Sequence, residues 1–201
     1  MRKLVLASRN KGKIKELREL LSGLSLEVVG LDSYPEAPEV EETGTIFEEN
    51  AVLKVKAIAE YTKELTLADD SGLEIDFLGG EPGVCSARYG EPGWDDQQRY
   101  EYLLKKLELV SGSLRQARFR SVVALYDPGN KQLELAEGKV EGVIIDEPRG
   151  DFGFGYDPIF YLPELRKTMA ELTPEEKNEL SHRGRAVKEI IPKIEKLLRI
   201  G

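Results

Sequence analysis

Cysteine and histidine are almost missing from this chain of 201 residues, with Cys85 and His182 the only ones. One cysteine cannot form an intrachain disulfide or a multi-cysteine zinc site, and one histidine cannot build a histidine-rich metal centre. A bound metal must therefore be held mostly by oxygen, which selects hard cations, Mg2+ first with Mn2+ as the substitute. Cys85 itself is expected to be a small buried hydrophobe. Positive charge is in deficit too: 29 Lys and Arg against 37 Asp and Glu leave a formal net charge of -8. That balance argues against a nucleic-acid backbone as partner, although a local basic cluster can still hold a single nucleotide. No apolar run approaches the roughly 18 residues of a spanning helix, and the N-terminus lacks the charged-then-apolar pattern of a secretion signal. A soluble, cytoplasmic protein without membrane association is expected. Charged residues reach 33% while Met and Cys are scarce, a composition that leans thermophilic.

What is present is an alternation of strand and helix signals without repeats or low-complexity tracts. The length and the 40% hydrophobic content suffice for one continuous core, so residues 1–201 are expected to form a single domain. Lys3 to Ala7 is a short apolar strand, followed by a helix with Ile14, Leu17, Leu20 and Leu21 on one face. After a Pro- and Glu-rich connection, Thr45 and Glu48 form a capping box opening a second helix that runs to about Tyr61. Leu65 to Ala68 is the next strand, and a third helix is expected from about Trp94 to Leu109. Two long strands, Phe119 to Tyr126 and Leu133 to Ile145, flank the turn Asp127-Pro128-Gly129-Asn130. Thr173, Pro174 and Glu176 open a short helix, and Ser181 caps a last one carrying Val187, Ile190, Ile191, Ile194 and Leu197. Helices among both strand types give a mixed α/β architecture with an antiparallel or mixed sheet.

Five segments carry polar chemistry, and each has a bland counterpart. Leu67-Ala68-Asp69-Asp70-Ser71-Gly72-Leu73 sets two carboxylates at an apolar strand end, either as an ordinary Asp-Asp-Ser-Gly turn or as a metal or substrate site. Ser8-Arg9-Asn10-Lys11-Gly12-Lys13 joins the first strand to the first helix, where free backbone amides favour an anion. It is a phosphate site or a polar turn, and it lacks the Walker A pattern. In Glu39-Val40-Glu41-Glu42-Thr43-Gly44, Glu41 or Glu42 could complete an oxygen-ligand site with Asp70, or the run is a solvated face. Gly150 to Pro158 alternates glycine with aromatics, which suits base stacking or an aromatic-packed turn. Ser181-His182-Arg183 offers donors to base carbonyls or forms a surface cap.

Taken together and in order, these segments resemble the inosine triphosphate pyrophosphatase family of Ham1- or RdgB-like proteins. The resemblance rests on Ser8, Asn10 and Lys13, on Glu41-Glu42-Thr43-Gly44 with Phe47-Glu48-Glu49-Asn50-Ala51, and on Ala68-Asp69-Asp70-Ser71-Gly72-Leu73. It extends through Leu78-Gly79-Gly80 with Pro82-Gly83, Ser86-Ala87-Arg88-Tyr89, Gly153-Phe154-Gly155-Tyr156-Asp157-Pro158, and Glu176-Lys177 with Ser181-His182-Arg183. It implies a homodimer of elongated mixed α/β subunits, each with two lobes around a central active-site cleft. The implied reaction is hydrolysis of ITP, dITP and XTP to the monophosphate and pyrophosphate. By position, the resemblance assigns Ser8, Asn10 and Lys13 to the phosphates, Glu41 and Asp70 to Mg2+, and Asp70 to water activation with Asp69 in support. It assigns Ser71 to substrate, and Phe154, Gly155, Tyr156, Asp157, Lys177, His182 and Arg183 to the nucleoside. Arg9 and the pair Asp151-Phe152 depart from the family pattern, which has small residues there. A Maf-type pyrophosphatase would open on a Ser-x-Ser-Pro-Arg-Arg-like loop that this chain lacks, and a nucleotide-binding module without turnover is the reading from another class.

Overall fold

The computed structural model describes residues 2–200, leaving aside the side chain of Ile200. Its strands are β1 (Lys3–Leu6), β2 (Glu27–Gly30), β3 (Leu65–Ile75), β4 (Gln116–Asp127), β5 (Gln132–Ile144), β6 (Phe160–Leu162) and β7 (Lys167–Thr168). The helices are α1 (Lys11–Leu20), α2 (Phe47–Thr62), α3 (Asp96–Lys106), α4 (Pro174–Leu180) and α5 (His182–Ile200). The strands form one seven-stranded sheet in the order β2-β1-β3-β4-β5-β6-β7. β1 runs parallel to β2 and to β3, whereas β6 is antiparallel to β5 and to β7. The mixed α/β class expected from the alternation of signals is the one observed.

The chain divides into two compact units, Met1–Asp70 with Ser121–Gly138 and His182–Gly201, and Ser71–Arg120 with Lys139–Ser181. In place of one continuous core, the buried apolar side chains form two clusters. In the first unit, Leu4 and Leu6 of β1 and Leu65 and Leu67 of β3 pack with Leu17 and Leu21 around α1. Ala186, Val187, Ile190, Ile194 and Leu197 of α5 belong to the same cluster, at the spacing of one helical face. In the second unit, Leu73 and Ile75 of β3, Leu103 of α3 and Phe119 of β4 pack with Ile159, Phe160 and Met169. Each fully buried Leu, Ile or Phe contributes about 1.5–3 kcal/mol relative to an exposed one.

Several local expectations need correction. β3 does not end at Ala68 but continues through the acidic pair to Ile75, so Asp69-Asp70-Ser71-Gly72 is strand, not turn. Gly72 serves close packing there, because a Cβ would overlap the Gly83 carbonyl oxygen and the Ser86 Oγ. α2 begins at Phe47 and not at Thr45; Thr45 receives Glu49, not Glu48, its backbone N–H donating to Glu49 Oε2 at 2.7 Å. α3 is shorter than expected: Asp95 caps its start, Asp95 Oδ1 accepting from Gln98 N and Gln98 Oε1 from Asp95 N, and it ends at Lys106 with Leu107 as its C-cap. The capping box of α4 is formed by Thr173 and Glu176 as expected. Strands β2, β6 and β7 carry four, three and two residues, too few for a periodic signal. Cys85 is exposed and not buried, standing on a short turn of 3-10 helix between Gly83 and Arg88.

Gly138 on β5 marks where the first turn of α5 meets the strand, since a Cβ there would overlap the His182 carbonyl oxygen and the Ala186 nitrogen. Backbone on both sides cannot yield as a flexible side chain can. Gly138→Ala is expected to cost about 1–3 kcal/mol by overpacking, read as a lower urea midpoint. Gly23→Ala, whose Cβ would meet nothing within 4 Å, should leave the midpoint in place. Equal midpoints for the two variants would refute the close approach.

Candidate active site

Successive residues of a strand face opposite sides of a sheet, so Asp69 and Asp70, neighbours in sequence, enter different surroundings. Asp69 is 1% exposed and meets two cations: Lys13 Nζ lies 2.9 Å and Arg183 Nη2 3.3 Å from its Oδ2. The Ser121 hydroxyl, from β4, donates to its Oδ1. Arg183 is equally buried and places its other terminal nitrogen 2.5 Å from Glu16 on α1. Burial favours the neutral form of Asp69, but the Arg183 and Lys13 charges and the Ser121 hydroxyl outweigh it and hold the carboxyl well below the usual carboxylate range. Burial, with Lys54 and Arg183 nearby, pushes the Lys13 ammonium down despite the pull of Asp69.

Asp70 faces Lys54 instead. Its Oδ1 is 2.7 Å from Lys54 Nζ, which also reaches Glu42 Oε1 at 2.8 Å and donates to the Asp69 carbonyl oxygen at 2.9 Å. Asp70 is 4% exposed, and its Oδ2 is buried without a hydrogen-bond partner among the described residues. A buried carboxylate oxygen in that condition is costly. Burial raises the Asp70 carboxyl above its ordinary value against the opposing charges of Lys54 and Lys13. Burial works to lower Lys54, and the carboxylates of Asp70 and Glu42 more than offset it, for a net rise.

The first loop follows β1 directly. Asn10 caps α1, its Oδ1 accepting from Lys13 N at 3.1 Å, and Ser8 Oγ accepts from Asn10 N at 3.2 Å. Arg9, the departure in this loop, reaches across to donate to the Ala37 carbonyl at 2.9 Å. Glu41 is exposed and forms no ion pair among the described residues; Glu42 is the carboxylate joined to Asp70 through Lys54. His182 is buried at the start of α5 beside Arg183, not displayed on the surface. Sequence reasoning missed Lys54 and Glu16. Lys54 is one cation among many, and only its position seven residues beyond the start of α2 brings it under the acidic pair.

In the second unit, Ser71 is half-buried and the glycine–aromatic turn is held from inside. Asp157 is 3% exposed, and its Oδ2 lies 2.5 Å from Lys177 Nζ and accepts from Phe154 N at 2.8 Å. Lys177 stands 4.8 Å from the Phe154 ring centroid, a cation–π arrangement in which the cation is buried as well. The Tyr156 hydroxyl donates to the Ser86 carbonyl at 2.9 Å. At the departure Asp151-Phe152, Phe152 N donates to the Ala170 carbonyl at 3.0 Å, which anchors that loop through its backbone.

The oxygen-ligand expectation can be tested on these groups. No group of three His, Cys, Asp or Glu suited to a metal occurs among the described residues. Mg2+ needs fewer, since it keeps water and substrate phosphates around one or two carboxylates. The unpartnered Oδ2 of Asp70 fits that requirement.

The depressed Asp69 carboxyl has a consequence for stability. A group whose pKa falls on folding stabilises the protein fully above its unfolded value, here near 3.8, and that contribution is lost as the pH drops towards the folded value. Asp69→Asn leaves the buried Arg183 and Lys13 facing a neutral group, so it is expected to cost about 3–5 kcal/mol at neutral pH. In urea unfolding with EDTA present, the gap between wild type and variant should shrink as the pH falls below about 4. A gap independent of pH would mean that Asp69 does not carry this charge cluster.

Residues 4–193 match the family model described as the Ham1 family. A dITP/XTP pyrophosphatase of Desulforamulus reducens is 52% identical over 196 residues, covering 97% of this chain and 96% of that protein. A dITP/XTP pyrophosphatase of Bacillus subtilis is 47% identical over 190 residues, covering 94% of this chain and 96% of that one. The solved structure of a HAM1 protein from Coxiella burnetii superposes with a TM-score of 0.88 at 42% identity, covering 98% of this chain and all of that one. With a family match spanning nearly all of its length, relatives this similar and the same fold, the chain belongs to the Ham1 family.

Proposed function

We propose that this protein is a nucleoside triphosphate pyrophosphohydrolase that removes the deaminated purine nucleotides ITP, dITP and XTP from the nucleotide pool. Water attacks the α-phosphorus, the bond between that phosphorus and the α,β-bridging oxygen breaks, and the nucleoside monophosphate and pyrophosphate leave. The observation that carries the proposal is the split of the acidic pair: Asp69 is clamped between cations while Asp70 keeps a buried oxygen without a partner.

Asp70, with Glu41 or Glu42, would hold Mg2+, which when bound neutralises phosphate charge and polarises the attacking water. The chain's own groups account for the remaining roles. Asp70 positions the attacking water and takes its proton. Asp69 is the poorer base, and supports the site by fixing Lys13 and Arg183. Lys13, Ser8, Asn10 and the first amides of α1 meet the anionic oxygens of the triphosphate chain. Lys54 is a further cation beside Asp70 and Glu42, suited to a phosphate oxygen. Ser71 contacts substrate.

For the nucleoside, Phe154 offers a stacking face, and Gly155, Tyr156 and Asp157 shape the turn that carries it. Lys177, His182 and Arg183 supply donors. A 6-keto purine presents an acceptor where adenine presents a donor, so donor-only groups such as Lys177 and Arg183 accept the first and leave a group unpaired against the second. Arg183 is held in place by Glu16 and Asp69. A homodimer and a cytoplasmic setting belong to the same proposal. Leu53 and Tyr61, eight residues apart on α2, and Ile46, which precedes the helix, are exposed apolar groups that a second copy could cover.

The test is a panel of ITP, dITP, XTP, GTP and ATP with Mg2+, scoring pyrophosphate against orthophosphate. Pyrophosphate is expected, with kcat/KM for the deaminated purines at least about a hundredfold above that for ATP. Orthophosphate release would sink attack at the α-phosphorus, and equal rates across the panel would sink the housecleaning role. Asp70→Asn should lower kcat by about two to four orders of magnitude while circular dichroism and the urea midpoint stay native-like. Full activity in that variant would remove Asp70 from the chemistry and favour a binding module.

A further inference from the structure

The turn at Phe154–Asp157 is secured by three hydrogen bonds, two of them to partners outside the glycine–aromatic segment. Asp157 holds Phe154 N, and Tyr156 holds the Ser86 carbonyl. Between them, Gly155 N donates to Asp96 Oδ2 at 2.7 Å. Asp96 is the first residue of α3 and is not needed to cap that helix, because Asp95 does so. Gly155 has a φ of +63°, a left-handed conformation that an untethered turn leaves easily.

Three hydrogen bonds close a ring through this region. Asp96 binds Gly155; one turn further along α3, Arg99 Nε donates to the Ala87 carbonyl at 3.0 Å; and the neighbouring Ser86 carbonyl receives Tyr156, next to Gly155. Ser86 is itself fixed, its Oγ accepting from Leu73 N at 2.9 Å and donating to the Gly83 carbonyl at 2.6 Å. Opening the ring at Asp96 leaves Gly155 free between two residues that remain anchored.

We propose that Asp96 is a positioning residue for nucleoside binding, holding the Gly155 turn in the conformation that presents Phe154 and Lys177. The proposal rests on the assignment of this turn to the nucleoside. Asp96 touches no reacting atom, so its loss acts on binding and leaves the hydrolytic step alone. The bond needs an acceptor oxygen and not a charge, which separates positioning from a general effect of an acidic residue at a helix start.

The test compares Asp96→Ala with Asp96→Asn in the full chain. The first readout is backbone amide exchange at Gly155 by NMR without nucleotide. Asp96→Ala is expected to speed it at least about tenfold while α3 amides keep their protection, and Asp96→Asn to leave it near wild type. The second is dITP kinetics, where Asp96→Ala should raise KM about five- to twentyfold with kcat within about twofold, and Asp96→Asn should restore KM. Unchanged Gly155 exchange in Asp96→Ala, an unchanged KM, or an asparagine variant as impaired as the alanine one would overturn the proposal. If the wild type releases no pyrophosphate from dITP, the nucleotide assignment fails on its own, and Gly155 exchange still decides whether Asp96 tethers the turn.

Discussion

The ion cluster around Asp69 is the constraint on which the first unit depends. A carboxylate in the middle of a buried strand is tolerable only with compensating charge, because removing an ion from water costs several kcal/mol even after relaxation. Lys13 and Arg183 supply that charge, and Glu16 balances the second of them, so two carboxylates face two cations. These partners come from the start of α1 and the start of α5, and Ser121 adds a hydroxyl from β4. The cluster therefore fixes the loop after β1 through the same bonds that neutralise Asp69. Satisfying one buried charge and fixing the loop after β1 are a single structural requirement.

The second unit solves a similar problem on a smaller scale. Lys177 and Asp157 are both buried, and neither would be tolerated alone. Asp157 also accepts from Phe154 N, so one carboxylate orients a cation and a backbone turn together. Lys177 is held between an aromatic face and a carboxylate, an arrangement that limits its freedom.

Much of this was legible in the sequence because it lay in short runs whose order was distinctive. The α/β class, the main helices, the capping box at Thr173 and the members of the acidic, basic and aromatic segments could all be read from residue types and spacing. Strands β2, β6 and β7 could not, since two to four residues give no period and, unlike β1, none of them is an apolar run leading into a helix signal. Asp69-Asp70-Ser71-Gly72 has the composition of a turn and is strand, because tertiary cations pair with the aspartates and Gly72 is required for packing space. Cys85 has the composition of a core residue and is exposed, because the neighbouring Ser86 is the side chain turned inward to fasten β3. Lys54 left no signal: its meaning lies in which strand runs beneath α2, and that is tertiary information.

The same reasoning separates the two aspartates more firmly than sequence order can. A base must hold a proton for part of the reaction, and a carboxyl pushed far down by cations holds it poorly. Asp69 is in that condition, while burial moves Asp70 the other way. Alternation along β3 makes the difference possible without any change in backbone, since each side chain meets its own set of charges on its own face. A cation arriving at Asp70 would compete with Lys54 for one carboxylate and leave the Lys13–Asp69–Arg183 contacts intact. Placing the two acids next to each other in a strand keeps the carboxylate clamped by cations and the carboxylate with an unpartnered oxygen a single residue apart, yet electrostatically distinct.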